Sequence, residues 1–259
     1  MKRLILPLLC LFVLASSSFA WMTLPVVGGS GGSCPPWYAD ANVVVAWDPN
    51  HPINSRTGCT PDGEPYTFSL FGAPTINADG INIVENNDYL KSPTSQAIVE
   101  WITPAAGKSQ TMCAEVNISG QPAADVGIMG GNDAELNDIV SVRVNSIDAT
   151  NFDLQVQWDT EDDAAINDYT EGALGYGDWR IVSYSWEDSG AEDYIQSSNV
   201  GDGTGWDDSA DELKDMDEQC DFFYIGNAGI GDPAGATLKI RKFAIVDGYK
   251  FDCSTLTGW

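Results

Sequence analysis

Basic residues are scarce in this chain: 12 Lys and Arg stand against 38 Asp and Glu, a formal net charge of −26 over 259 residues. That imbalance repels phosphate backbones and anionic bilayers, so nucleic acid and membrane surfaces are not expected partners. Histidine is rarer still, with His51 alone. A Cys/His zinc site is therefore not expected, and no Cys-x-x-Cys pair occurs to supply one. A Ser-His-Asp or Cys-His arrangement would depend on that single histidine, which sits in a Pro/Asn-rich stretch. Beyond the first residues no apolar run is long enough to anchor the chain in a bilayer, and no membrane insertion is expected.

The first residues do carry an apolar run. Lys2 and Arg3 precede Leu4 to Leu14, and small residues follow, ending Ser18-Phe19-Ala20. A charged start, a short apolar stretch and an A-x-A-like end form a secretory signal peptide. Cleavage after residue 20 would remove two bases and deepen the net charge to −28. The expected destination is secreted or periplasmic. Residues 21–36, rich in Gly, Ser and Pro, read as a flexible leader, and residues 37–259 as one domain.

Cleavage would leave five cysteines: Cys34, Cys59, Cys113, Cys220 and Cys253. An exported chain can oxidise them, with one left over. Sequence proximity favours Cys34–Cys59 and Cys220–Cys253, leaving Cys113 free. Spacing alone does not prove that connectivity.

From Trp37 onward, short runs alternate between apolar and polar residues, divided by Asn, Asp, Gly and Pro. In Thr111–Ile118, Met112, Ala114, Val116 and Ile118 share one side. In Ile139–Asn145 it is Val140, Val142 and Val144; in Phe152–Trp158, Phe152, Leu154, Val156 and Trp158; in Arg180–Trp186, Val182, Tyr184 and Trp186. Side chains alternate faces along a strand, so each run predicts one buried and one wet face. Further strands are expected at Val43–Trp47, Ile81–Val84, Phe222–Ile225 and Leu238–Val246. This many short strands predict an all-β, two-sheet antiparallel sandwich of jelly-roll type. One short acidic helix is expected near 209–220, with Asp207, Asp208, Asp211 and Glu212 in its first turn.

Four stretches carry a resemblance. "VVVAWD" at 43–48, "GAPTINADGINIVENNDYLKSP" at 72–93, "WRIVSYSWE" at 179–187, and "IGN" at 225–227 with "LKIRKFAIVDG" at 238–248 follow one another in order. Together they resemble the laminin G-like branch of the concanavalin A-like lectin/glucanase superfamily, over most of residues 43–250. The resemblance implies a β-sandwich and carbohydrate recognition on a polar sheet face. It also implies a calcium site fed by acids before the closing strand, where this chain has Arg241 and Lys242 instead.

Retaining glucanases of that superfamily place Glu-x-Asp-x-Glu on one strand, because two carboxylates must flank the scissile bond. No strand here carries that pattern, so catalysis is not the favoured reading. For metal, Asp159, Glu161 and Asp163 space carboxylates as calcium loops do, though Ala164 stands where the turn glycine of such loops belongs; Asp48 is a second calcium candidate. The polar face is the main functional lead. Were the four alternating runs in one sheet, its outer side would show Glu115, Asn117, Arg143, Asn145, Asp153, Gln155, Gln157, Ser183 and Ser185. Such groups both donate to and accept from sugar hydroxyls. Trp206 and Trp37 are candidate stacking rings, whereas Trp101, Trp158, Trp179 and Trp186 are assigned to the core. The expected function is a non-catalytic exported module that binds polysaccharide or a surface glycan. The alternatives are an adhesion protein that binds other proteins, or a diverged polysaccharide hydrolase or lyase.

Overall fold

The computed structural model describes residues 43–51, 54–59, 65–94, 109–132, 138–146, 148–158, 165–187, 193–199, 207–208, 220–248, 251–256 and 259. The expected signal peptide, leader and 209–220 helix therefore lie outside the described residues, apart from Cys220. In chain order the strands begin with β1 (Val43–Trp47), β2 (Thr57–Cys59), β3 (Pro65–Thr67), β4 (Ser69–Phe71), β5 (Thr75–Asn77) and β6 (Gly80–Ile83). Next come β7 (Tyr89–Lys91), β8 (Ser109–Ile118), β9 (Val126–Asn132), β10 (Asp138–Ser146), β11 (Asn151–Trp158) and β12 (Ala165–Gly175). Last are β13 (Trp179–Glu187), β14 (Asp193–Asn199), β15 (Asp207–Asp208), β16 (Phe222–Gly226) and β17 (Leu238–Asp247). A 3-10 turn, Cys253–Thr255, follows.

Two antiparallel sheets form the sandwich, as the alternation predicts. The first, of ten strands, runs β15-β14-β13-β8-β17-β1-β2-β3, with β6 added beside β17 and β5 beside β6. The second, of seven strands, runs β12-β11-β10-β9-β16-β7-β4. Between them Met112, Ala114, Val116 and Val182 meet Val140, Val142, Val144, Leu154 and Val156 in one apolar cluster. At its centre Phe223 of β16 stacks on Phe243 of β17, ring centroids 5.4 Å apart, while Phe68 meets Phe223 edge-on. Burial of such rings is the main source of stability in a two-layer β fold.

The stretch 72–93 owes its pattern to backbone architecture. Asp88 is fully buried, and its carboxylate accepts from the N–H groups of Ala73, Val84 and Glu85 at 2.8–3.0 Å. Gly72 turns at φ +68°, a conformation that side-chain-bearing residues rarely adopt. Asn227 of the "IGN" motif is likewise buried; its side chain accepts from Gly127 N–H at 3.1 Å and donates to Gly231 O at 2.7 Å.

Two expectations are corrected. Cys253 is bonded to Cys113, so the pairing of Cys220 with Cys253 does not form and Cys113 is not the odd cysteine. The outer side of β8 and β13 is also not wet: Thr111, Cys113, Glu115, Ser183 and Ser185 are all at most 1 % exposed. The C-terminal segment explains both. Phe251, Cys253, Leu256 and Trp259 lie against Cys113, Ile181, Ala244 and Val246 on that face. Thr111 Oγ1 holds the strap down, 2.8 Å from Gly248 O while accepting from Phe251 N–H. Cys59 is itself in a disulfide; Cys34, its expected partner, lies outside the described residues.

Candidate functional site

The polar residues expected on one surface divide between two. Glu115 and Asn117 sit on β8, and Ser183 and Ser185 on β13, in the ten-stranded sheet. Arg143, Asn145, Asp153, Gln155 and Gln157 sit on β10 and β11 in the seven-stranded sheet. Alternation assigns a side of a strand, not a sheet, which is why the sequence merges two faces into one.

The second group is brought together. Arg143 pairs in register with Gln155, Asn145 with Asp153, and Ser141 with Gln157, so all six side chains rise from the same side. Arg143 Nε donates to Ser141 Oγ at 2.8 Å, which fixes the guanidinium along the strand. Ser141 and Gln155 are buried, whereas Arg143, Asn145, Asp153 and Gln157 are half-buried. The hairpin joining the two strands is tied by Asp148, whose carboxylate accepts from the Thr150 hydroxyl and N–H and from Asn151 N–H at 2.7–2.9 Å. Those bonds lower its pKa to about 2.

Continuing across the sheet, the same face turns aromatic. Gly130 of β9 lies between Ser141 of β10 and Tyr224 of β16. A Cβ there would come within 2.6 Å of the Tyr224 hydroxyl, so the floor must stay bare for the tyrosine to lie over it. Beyond Tyr224 stand Tyr89, edge-on to it at 6.2 Å, and Phe71, stacked on Tyr89 at 4.8 Å and 7°. Lys91 places its ammonium 3.6 Å from the Phe222 ring centroid and 5.8 Å from that of Phe71. Phe71 is 40 % exposed, the largest exposed ring among the described residues. Tyr89, Phe222 and Tyr224 are themselves buried, so Phe71 is the ring this aromatic cluster presents to solvent; it was missed in the sequence, because Phe71 lies on a three-residue strand too short to show alternation.

The first group differs. Glu115 is 1 % exposed; its carboxylate pairs with Arg241 and lies 3.9 Å from Lys242 Nζ. Asn117 is half-buried and donates to Gly177 O at 2.6 Å. Trp179, assigned to the core by sequence, instead stands half-buried on the outer side with the Arg241 guanidinium 4.1 Å above its ring. Trp37, Trp101 and Trp206 lie outside the described residues, as do the side chains of Trp158 and Trp186.

Asp159, Glu161 and Asp163 also lie outside them. Asp48 is nearly buried, and its carboxylate accepts from Asn50 N–H at 2.7 Å. Among the described residues no three Asp, Glu, His or Cys side chains are placed to share a metal ion. The lone His51 is buried in the same turn, with Nε2 3.3 Å from Cys59 Sγ. Desolvation lowers its pKa, and Asp48 opposes that shift.

No protein-family model matches the chain, and no curated protein sequence matches it. Solved structures do. One, described as "Cell entry of botulinum neurotoxin type C is dependent upon interaction with two ganglioside molecules", superposes at TM-score 0.57 and 14 % identity, over 79 % of this chain and 47 % of that one. The binding domain of botulinum neurotoxin DC in complex with rat synaptotagmin II gives 0.56 and 15 %, over 81 % and 48 %. The same domain in complex with SialylT gives 0.56 and 13 %, over 85 % and 51 %. The chain spans about half the length of these structures, and at such identity the likeness is one of fold, a β-sandwich shared with toxin binding domains.

Proposed function

We propose that the chain is an exported, non-catalytic recognition module of laminin G-like type that binds carbohydrate on the outer face of its seven-stranded sheet. One observation carries the reading: the exposed ring of Phe71, backed by the buried Tyr89 on which it stacks, and a row of amide, carboxylate and guanidinium groups share one face. An aromatic ring covers the apolar side of a sugar, and amides and acids exchange hydrogen bonds with its hydroxyls. β4 and β10 are four strand spacings apart, about 19 Å, so the face suits an extended oligosaccharide rather than a single ring. The solved structures that share the fold include one tied by its description to gangliosides and one in complex with SialylT, which supports glycan recognition on such a sandwich.

The test is binding of neutral oligosaccharides of four or more rings, with millimolar calcium and with chelator. The calcium arm carries the proposal that Asp48, or Asp159, Glu161 and Asp163, hold an ion. Loss of binding in Arg143→Ala/Gln157→Ala and in Phe71→Ala is expected. No binding to any glycan, with or without calcium, overturns the reading.

A second reading, docking of a protein, is favoured by one feature. Among the described residues β4 closes the order of its sheet, with Ser69, Leu70 and Phe71 all exposed, and an edge strand can pair with an incoming strand. Capture of a protein that survives Arg143→Ala/Gln157→Ala but not a proline at Leu70 would support it.

A further inference from the structure

Lys91 is a cation without an acid. Its ammonium stands 3.6 Å from the centroid of the fully buried Phe222 ring and 5.8 Å from that of Phe71. Among the described residues no carboxylate, carbonyl or hydroxyl meets it, and the ammonium itself is open to solvent. Acids outnumber bases 38 to 12, so this lysine is not unpaired for want of them. The rings hold the ammonium in place as a carboxylate would, yet leave its charge uncancelled. An anion arriving from solvent meets a positioned positive charge on an otherwise negative chain.

Register fixes where that charge stands. Lys91 on β7 pairs with Ser69 of β4 on one side and with Tyr224 of β16 on the other. Phe71, two residues along β4 from Ser69, shares their side of the sheet. Ser69 and Phe71 are both exposed, so a serine, a ring and an ammonium stand together at the β4 end of the face. The same register line runs on from Tyr224 through Gly130 to Ser141 and Gln157. Lys91 therefore rises from the side that carries the amide row, three strand spacings from Ser141, about 14 Å. A pyranose laid against the exposed part of Phe71 would bring a substituent of that ring, or of the next, toward the ammonium. Ser69 adds a hydroxyl that both donates and accepts.

We propose that Lys91, beside Phe71 and Ser69, forms an anion subsite that makes the face selective for an acidic saccharide, taking its carboxylate or sulfate group. The inference rests on the reading of this face as a glycan site and names the class of glycan. An ammonium is a compact point charge, which takes carboxylate and sulfate alike. A net charge of −26 repels densely charged polyanions, so the ligand carries its anionic groups singly, along an otherwise neutral chain.

The experiment is calorimetric titration of the full chain with three probes of equal length: a uronate-bearing, a sulfated and a neutral oligosaccharide. At low salt at least one acidic probe is expected to bind about fivefold tighter than the neutral one, and the preference is expected to fade as salt rises. Which acidic probe is preferred tells carboxylate from sulfate. In Lys91→Met, which keeps an apolar side chain beside Phe222, the acidic affinity is expected to fall to that of the neutral probe. Lys91→Arg is expected to keep the preference, so a general loss of folding is told apart from loss of charge. Arg143→Ala/Gln157→Ala is expected to weaken acidic and neutral probes together, leaving their ratio in place. Acidic and neutral affinities within twofold of each other in wild type, or a preference that survives Lys91→Met, overturns this proposal while the glycan reading stands. Binding of none of the three probes overturns both.

Discussion

Arg143 on β10 and Gln155 on β11 stand directly across from each other, and the guanidinium is tied back to Ser141. The pairing makes a rigid polar row out of residues 12 positions apart in sequence. Its geometry depends on the short hairpin between the two strands.

That hairpin has a titratable knot. The Asp148 carboxylate accepts three bonds at the turn, and its pKa stands at about 2. The bonds need the charged form, so they persist above the ordinary carboxylate value of about 3.8 and are lost as pH falls through about 2. A carboxyl-detected NMR titration should place Asp148 near 2. In Asp148→Ala, amide exchange in 140–158 should rise while the core strands β8 and β17 stay protected.

His51 shifts in the same direction for a different physical reason. Burial lowers its pKa, outweighing Asp48, so the fold prefers the neutral ring. The unfolded chain takes up the proton near 6.5, so the contribution is whole above that pH and shrinks as pH drops below it. Urea unfolding at pH 5.0 and 7.5 should show a larger loss on acidification in wild type than in His51→Gln. Equal losses would contradict the assignment.

The strap predicts a redox effect. Cys113 and Cys253 are 140 residues apart, and cross-links closing long loops contribute about 2–5 kcal/mol. Cys113→Ser/Cys253→Ser should lose that much and expose Phe251 and Leu256 to limited proteolysis. The sandwich itself should survive, because the strap packs against the outer face and not between the sheets.

Between the sheets, Phe223 stacks on Phe243 and is fully buried. Phe223→Ala should cost about 3–5 kcal/mol, measured by chemical unfolding. Phe71→Ala, at an exposed ring, should cost well under 1 kcal/mol.

The strands that alternate cleanly were legible in the sequence: β8, β10, β11 and β13 match their expected runs to within two residues. β9 was not, since Gly127, Gly130 and Gly131 interrupt any alternation, and the purpose of Gly127 and Gly130 appears only once Ile230 and Tyr224 pack over them. β12 escaped because "AINDYTEGALG" is too polar to show a buried side. Sheet membership was illegible for a different reason. β8 pairs with β13 and β17 between positions 62 to 137 residues apart in the chain, and nothing local in Glu115 or Asn117 distinguishes their surface from that of Gln155. The strap and its disulfide depend on the same long-range closure, so proximity in sequence misassigned Cys253.

The most direct test of the account is the affinity of a neutral oligosaccharide of four or more rings for the wild-type chain and for Arg143→Ala/Gln157→Ala, with folding checked by circular dichroism. Loss of two polar contacts predicts a drop of tenfold or more at unchanged stability. Affinity unchanged within twofold would contradict the claim that this face binds the ligand.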